Sequence, residues 1–460
     1  MKRVLLMLCA AFWLAPAGAA PVAPSKPNVL LIVVDDIGVG DLGFCGARDI
    51  PTPNLDRLAR EGVVCTAGYV QPMCAPTRAM LLTGRYPQRL GYEDNRPFDT
   101  AHTGLERSIP TLPEKLREAG YATALVGKWH LGKGLKFEYA PRNRGFDEFF
   151  GYFGAFGSYV DPTYSRNGVE QVCPGYGTDL LTAEACERLR AWKDKPFFLH
   201  LAYTAAHLKQ EAKPADLARF AHLDPKRQMA AAIISNLDEN LGRLRQALQD
   251  AGLTERTLTF FLSDNGGEPL VLGTRNTPYR GQKFDLYEGG VRVPFVVHWP
   301  GTLPAGRTYA APVATLDVMP TCLAAAGGAL GVTDGVNLLP FLDGTSNAVP
   351  HTALFWRTTD HAQWRRAREQ GTPAAHLSAV RQGDWKLVVL DEEGANRQEL
   401  FNLANDPGEA TDLAAQEPAR REVLRAALET WRASLKPQVI PPAPRKHAGQ
   451  AAEKQAPKHP

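Results

Sequence analysis

Asn28-Val29-Leu30-Leu31-Ile32-Val33-Val34 is, from Val29 onward, an unbroken apolar run, rich in β-branched residues, that stops abruptly on Asp35-Asp36. A strand with one face in water alternates polar and apolar residues. A strand apolar at nearly every position suits the interior of a parallel sheet covered on both faces. Working outward, Tyr121 to Val126, Phe197 to Tyr203 and Thr257 to Leu262 repeat the form, and Val293 to Trp299 adds another strand. Leu112 to Ala119 reads as a helix stopped by Gly120, and Arg227 to Asp250 as a long helix stopped by Gly252. Strands alternating with helices predict an α/β fold, a mainly parallel sheet sandwiched by helices.

Four of these apolar strands run out into reactive side chains: Asp35-Asp36, Lys128 with His130, His207, and Asp264-Asn265. In open α/β sheets ligands bind outside the carboxyl ends of the strands, so four segments distant in sequence are expected at one edge. Asp35, Asp36, Asp264 and Asn265 all offer oxygen, three of them as anions, which suits a hard divalent cation. Ca2+ is preferred because several carboxylates can surround it flexibly; Mg2+, the alternative, would keep more water. Zinc is disfavoured, since no His or Cys cluster at metal-binding spacing accompanies these acids. One acidic pair after a strand is ordinary turn chemistry. Two such pairs point to a metal site. Lys128 and His130, two residues apart, would share a face of extended backbone, and Pro76 suits the first turn of a helix, which puts Cys74 at its N-terminus.

Cys74-Ala75-Pro76-Thr77-Arg78, with Leu81-Leu82-Thr83-Gly84-Arg85 close behind, resembles the Cys-x-Pro-x-Arg signature of type I sulfatases. Gly127-Lys128-Trp129-His130-Leu131-Gly132, Arg280-Gly281-Gln282-Lys283 and Tyr287-Glu288-Gly289-Gly290-Val291-Arg292-Val293-Pro294 match that arylsulfatase-like family in order, and the resemblance spans residues 27 to 435. It implies an alkaline-phosphatase-like core with a smaller C-terminal α+β subdomain. It also implies that a formylglycine-generating enzyme converts Cys74 to 3-oxoalanine (formylglycine). One hydroxyl of the hydrated aldehyde would take the sulfuryl group, and deprotonation of the other would expel sulfate, splitting one hard step into two. By the same resemblance Arg78 holds the hydrate, Lys128 contacts sulfate, and His130 orients the hydrate and takes its proton. His207 and Lys283 bind sulfate and protonate the leaving oxygen. Asp35, Asp36, Asp264 and Asn265 hold the metal, with residue 74 completing the sphere. The His207 segment departs from the family: Ala206 and Lys209 stand where Pro is usual. The run from Tyr287 reads as scaffold.

Met1 to Ala19 has the form of a secretory signal, with Lys2 and Arg3, an apolar run from Val4 to Leu14 and Ala17-Gly18-Ala19. The expected location is therefore periplasmic or secreted, and the run is too short for a membrane anchor. The 460 residues are 22% charged and 44% hydrophobic, the balance of a globular protein. The net charge of +3 includes Lys2 and Arg3, so the mature chain carries +1 and no nucleic acid partner is expected. Of the cysteines at 9, 45, 65, 74, 173, 186 and 322, Cys173 and Cys186 are the nearest candidates for pairing, with connectivity open. Residues 27–340 are expected to form the catalytic domain and 353–435 the subdomain. There Ala379 to Leu390 and Arg397 to Asp406 give strand material, and Pro418 to Leu435 an amphipathic helix with Val423, Leu424, Ala427, Leu428 and Trp431 apolar. Residues 437–460 read as a disordered tail. Phe149, Phe150, Tyr152, Phe153, Phe156 and Tyr159 suit a core somewhat better than a stacking surface for a sugar, and Asp94, Asn95 and Arg96 are candidates to reach the pocket.

The substrate expected is a sulfated small molecule or glycan, most simply a carbohydrate sulfate, with aryl sulfates as surrogates. Two other functions compete: a formylglycine-dependent phosphonate monoester or phosphodiester hydrolase, and a non-catalytic binder of sulfated glycans. The set Lys128, His130, His207 and Lys283 speaks against the binder, because binding alone requires no proton-transfer groups.

Overall fold

The computed structural model describes residues 26–95, 104–133, 137–155, 157–359, 376–392 and 395–435. Its centre is a ten-stranded sheet. The strand order is Arg307–Tyr309, Val63–Cys65, Phe295–His298, Thr257–Ser263, Asn28–Val34, Phe197–Ala202, Ala122–Lys128, Glu148–Tyr152, Thr163–Arg166, Val169–Val172. The five strands from Thr257–Ser263 to Glu148–Tyr152 are mutually parallel. Successive side chains of Asn28–Val34 feed opposite faces: Leu30, Ile32 and Val34 enter one core, Val29, Leu31 and Val33 the other. That is why the run is apolar throughout. The first core is closed by helices Pro53–Glu61, Gly177–Ala191 and Pro225–Asp250, the second by Cys74–Thr83, Leu112–Glu118 and Val318–Ala325. The sandwich read from the sequence is therefore the observed architecture.

Several local readings need correction. The expected strand Val293 to Trp299 is two: Arg292–Val293 pairs with Gly68–Tyr69 in a small second sheet, whereas Phe295–His298 joins the main sheet antiparallel. Pro294 separates them, having no N–H for a ladder. Ala379 to Leu390 is a hairpin, His376–Gln382 and Trp385–Glu392 turning on Gly383-Asp384. With Leu354–Thr359 and Ala395–Asn402 these strands form a four-stranded antiparallel sheet covered by helix Pro418–Ala433. Leu424, Leu428 and Trp431 of that helix are buried, but Val423 is 53% exposed and lies off the packed face. Cys173 and Cys186 are both free thiols in the first core. Phe149, Phe150, Tyr152, Phe153 and Tyr159 are core residues; Phe156, Arg96, the leader and the tail lie outside the described residues. Among the described residues no helix is long and apolar enough to cross a membrane.

Candidate active site

Four neighbouring strands of the parallel core end at one edge. Thr257–Ser263 delivers Asp264 and Asn265, Asn28–Val34 delivers Asp35 and Asp36, Phe197–Ala202 leads to His207, and Ala122–Lys128 ends in Lys128 with His130 beyond it. Helix Cys74–Thr83 points its N-terminus at the same edge with Cys74 as its first residue. The residues nominated from the sequence for catalysis and metal binding, including Arg78 and Lys283, meet here, and each is at most 5% exposed. One expectation fails locally. Lys128 and His130 do not share an extended segment, because the chain turns into left-handed backbone at His130 (φ 58°). Its N–H donates instead to Phe153 O at 3.0 Å. Gly127 (φ 109°) is required where the strand ends, since a Cβ there would lie 1.9 Å from Ala202 O.

The charges interlock. Lys128 Nζ donates to Asp35 Oδ2 at 2.5 Å and Lys283 Nζ to Asp36 Oδ2 at 2.8 Å. Arg78 donates to Asp264 Oδ2 through Nε (3.1 Å) and Nη2 (2.7 Å), and to Lys128 O through Nη1 (3.3 Å). Asn265 Nδ2 donates to Asp36 Oδ1 at 2.6 Å. Burial would raise the pKa of both Asp35 and Asp36, but Lys128 and His207 for the one, and Lys283 and His207 for the other, bring it below 3.8. Both are therefore carboxylates. Burial and then Asp264 push the Cys74 thiol well above 9.0. A thiolate is disfavoured, so unmodified Cys74 is a poor nucleophile here. Burial, then Lys128 and Arg78, hold His130 well below 6.5, so its imidazole is neutral at pH 7.

The oxygen donors of Asp35, Asp36, Asp264 and Asn265 fit a hard cation, although the structure also brings Cys74 and His207 beside them. Asp35, Asp36, Cys74 and His207 present ligand-type atoms within 4.8 Å of one another. Asp264 Oδ1 lies 3.4 Å from the N–H of Asp36, which places the second acidic pair beside the first. Asn265 Oδ1 is buried with no hydrogen-bond partner. A buried amide oxygen in that condition, among convergent carboxylates, has the chemistry of a Ca2+ or Mg2+ ligand.

Two further residues belong to this edge. Asn95 Oδ1 accepts from Ala75 N at 3.0 Å, tying the segment after the helix back to the helix start. Glu268, which the sequence reading passed over, sits 3.6 Å from Lys283 Nζ. The available signal was an acid set off from Asp264-Asn265 by Gly266-Gly267. Asp94 is buried.

The sulfatase family profile matches residues 27–329, and the profile of the N-sulphoglucosamine sulphohydrolase C-terminal region matches residues 281–434. The chain is 34% identical to the dog (Canis lupus familiaris) N-acetylgalactosamine-6-sulfatase over 92% of its length and 87% of that protein. It is 32% identical to mouse (Mus musculus) steryl-sulfatase over 94% and 86% of the respective chains. Among solved structures, Ps i-CgsB in complex with k-i-k-neocarrahexaose superposes with a TM-score of 0.82 at 32% identity, covering 94% of this chain and 97% of that one. The phosphonate monoester hydrolase of Agrobacterium radiobacter shares the fold at 24% identity, TM-score 0.67, over 89% and 96% of the two chains. This chain belongs to the sulfatase family. It is a sulfuric ester hydrolase.

Proposed function

We propose that this chain is an exported sulfatase that hydrolyses a sulfate ester of a carbohydrate, using formylglycine made from Cys74 as nucleophile and a Ca2+ ion held by Asp35, Asp36, Asp264 and Asn265. The observation that carries this reading is the place of Cys74: first residue of a helix, fully buried, its Sγ 3.5 Å from Asp35 Oδ1. When present, the aldehyde hydrate would supply two hydroxyls, one to accept and one to release the sulfuryl group, and the cation would draw charge from the sulfate oxygens.

The chain's own residues do the remainder. Lys128 and Lys283 are each tethered to a carboxylate, so two ammonium groups are fixed in advance where an anion arrives, beside a helix N-terminus that favours it. Arg78 holds Asp264 in place and offsets the acids. Neutral His130 is ready to accept the proton of residue 74. His207 Nδ1 faces Leu208 O at 3.0 Å. That contact assigns the proton of the neutral ring to Nδ1, so Nε2, 3.6 Å from Asp36 Oδ2, donates toward the leaving oxygen only as the imidazolium, a form that burial opposes and that Asp35 and Asp36 favour. Lys283 assists on the same side.

A carbohydrate substrate is supported by the N-acetylgalactosamine-6-sulfatase relatives and by the oligosaccharide held in the Ps i-CgsB complex. The polar side chains Asn95 and Glu268 at the same edge also suit hydroxyl groups. The leader at Met1 to Ala19 supports export. The test is steady-state hydrolysis of 4-nitrophenyl sulfate beside an aryl phosphodiester. The sulfate should have the higher kcat/KM, and Cys74→Ala should lower it by about 10⁴-fold or more while thermal unfolding stays cooperative. Faster diester hydrolysis would select the phosphoester hydrolase, and substantial activity in Cys74→Ala would remove residue 74 as nucleophile.

A further inference from the structure

At the buried centre Asp35, Asp36 and Asp264 are engaged by Lys128, Lys283 and Arg78 respectively. Glu268 is one acid more. Its backbone is fixed to the Lys283 loop: Glu268 N donates to Thr274 Oγ1 (2.9 Å), Gly267 N to Asn276 Oδ1 (2.8 Å), and Lys283 N to Gly267 O (3.2 Å). Neither preceding glycine tolerates a side chain, since a Cβ would lie 1.8 Å from Gly289 O at Gly266 and 2.4 Å from Thr274 Oγ1 at Gly267. Glu268 is therefore brought close to Lys283 by a packed turn, not by chance of rotamer.

The three groups are layered from inside outward. The Asp36 side chain is 1% exposed, that of Lys283 4%, and that of Glu268 12%. The Lys283 ammonium, with three donors, gives one to Asp36 Oδ2 at 2.8 Å and is drawn on its other side to Glu268 Oε1 at 3.6 Å. Its third N–H is left to be aimed by that pair of restraints. Glu268 is the outermost of the three.

We propose that Glu268 is a positioning and selectivity residue. It steadies the Lys283 ammonium between two carboxylates. Its outer oxygen accepts a hydroxyl of the leaving alcohol and repels an anionic substituent at the same place, so the substrate class is an ester whose neighbouring group is neutral. This rests on the sulfatase reading above.

The experiment compares 4-nitrophenyl sulfate with 2-carboxy-4-nitrophenyl sulfate, which carries a carboxylate beside the ester oxygen, in wild type, Glu268→Gln and Glu268→Ala. Wild type should discriminate against the carboxylate. Glu268→Gln should raise the relative kcat/KM of the carboxylate substrate by about tenfold, mainly through KM. Glu268→Ala should do the same and also lower kcat on both substrates, because Lys283 loses its lateral restraint. A ratio of the two substrates that is equal in wild type and Glu268→Gln, with all proteins unfolding at similar temperatures, would overturn the proposal. Wild type that hydrolyses an aryl phosphodiester and neither sulfate would overturn the sulfatase reading and this inference with it.

Discussion

Arg78 lies one turn into the Cys74–Thr83 helix with 1% of its side chain exposed, and two of its N–H groups go to one oxygen of Asp264. Removing the carboxylate would leave a buried guanidinium without its main partner, a defect that destabilises by about 3–5 kcal/mol. Asp264 also stands beside Asp36 in the proposed metal site. Asp264→Ala is therefore expected to lower both thermal stability and the divalent metal retained after dialysis, measured by calorimetry and atomic emission. Unchanged values of both would contradict the pairing and the ligand assignment together. At this scale the sequence was legible where residue type follows from position on the fold. Asp35, Asp36, Asp264 and Asn265 each follow a buried strand, and that pattern needs no knowledge of contacts. The left-handed turn at His130 was not legible, because it answers to Phe153 O, a carbonyl in another strand's loop. Glu268 was missed for a similar reason: its neighbour Lys283 is set by the packing of two loops.

Secondary-structure elements read well where both faces are buried and less well where one face must be chosen. In helix Pro418–Ala433, Leu424, Leu428 and Trp431 follow the i, i+4, i+7 spacing and are buried, whereas Val423 precedes Leu424 by about 100° of helical rotation and faces outward. Apolar character alone could not separate them. Leu424→Ala should cost about 2–5 kcal/mol in chemical denaturation. Val423→Ala should stay within about 0.5 kcal/mol. Equal losses at the two positions would mean that the helix packs on a different face. The strand from Val293 onward failed for another reason: Pro294 divides it, and its two parts enter different sheets.

The smaller sheet is joined to the main unit by a shared core and by a buried charge cluster. Tyr69, Met80 and Tyr86 pack with Trp356, Phe401 and Leu424. Glu288, from the run first read as scaffold, meets Lys386 of the C-terminal sheet at 2.9 Å, and Glu409 meets the same ammonium at 2.9 Å. No local pattern discloses a pair separated by 98 residues. Burial, opposed by Lys386, raises Glu409 to about 7. Glu288 is lowered to about 2, since Lys386 and Arg292 outweigh its burial. The two share one lysine and titrate together. For Glu409 the folded state keeps a proton that the unfolded chain has released, so its contribution is present below the unfolded value of 4.5 and is lost as pH rises to about 7. The Glu288 contribution has the opposite sign, present above 4.5 and lost as pH falls toward 2. Glu409→Gln, with no proton to lose, should gain stability relative to wild type between about pH 5 and about pH 7.5, by about 1–2 kcal/mol. Thermal unfolding of both proteins at the two pH values checks this, and a difference that does not change with pH would contradict it.

The claim on which the catalytic account depends is that position 74 acts as an aldehyde. Peptide mass spectrometry of protein shown to be active on an aryl sulfate, recovered from a host with the modifying enzyme, addresses it directly. The fragment containing residue 74 should carry the mass of formylglycine in proportion to the activity. An equally active preparation whose residue 74 is entirely thiol would contradict the account.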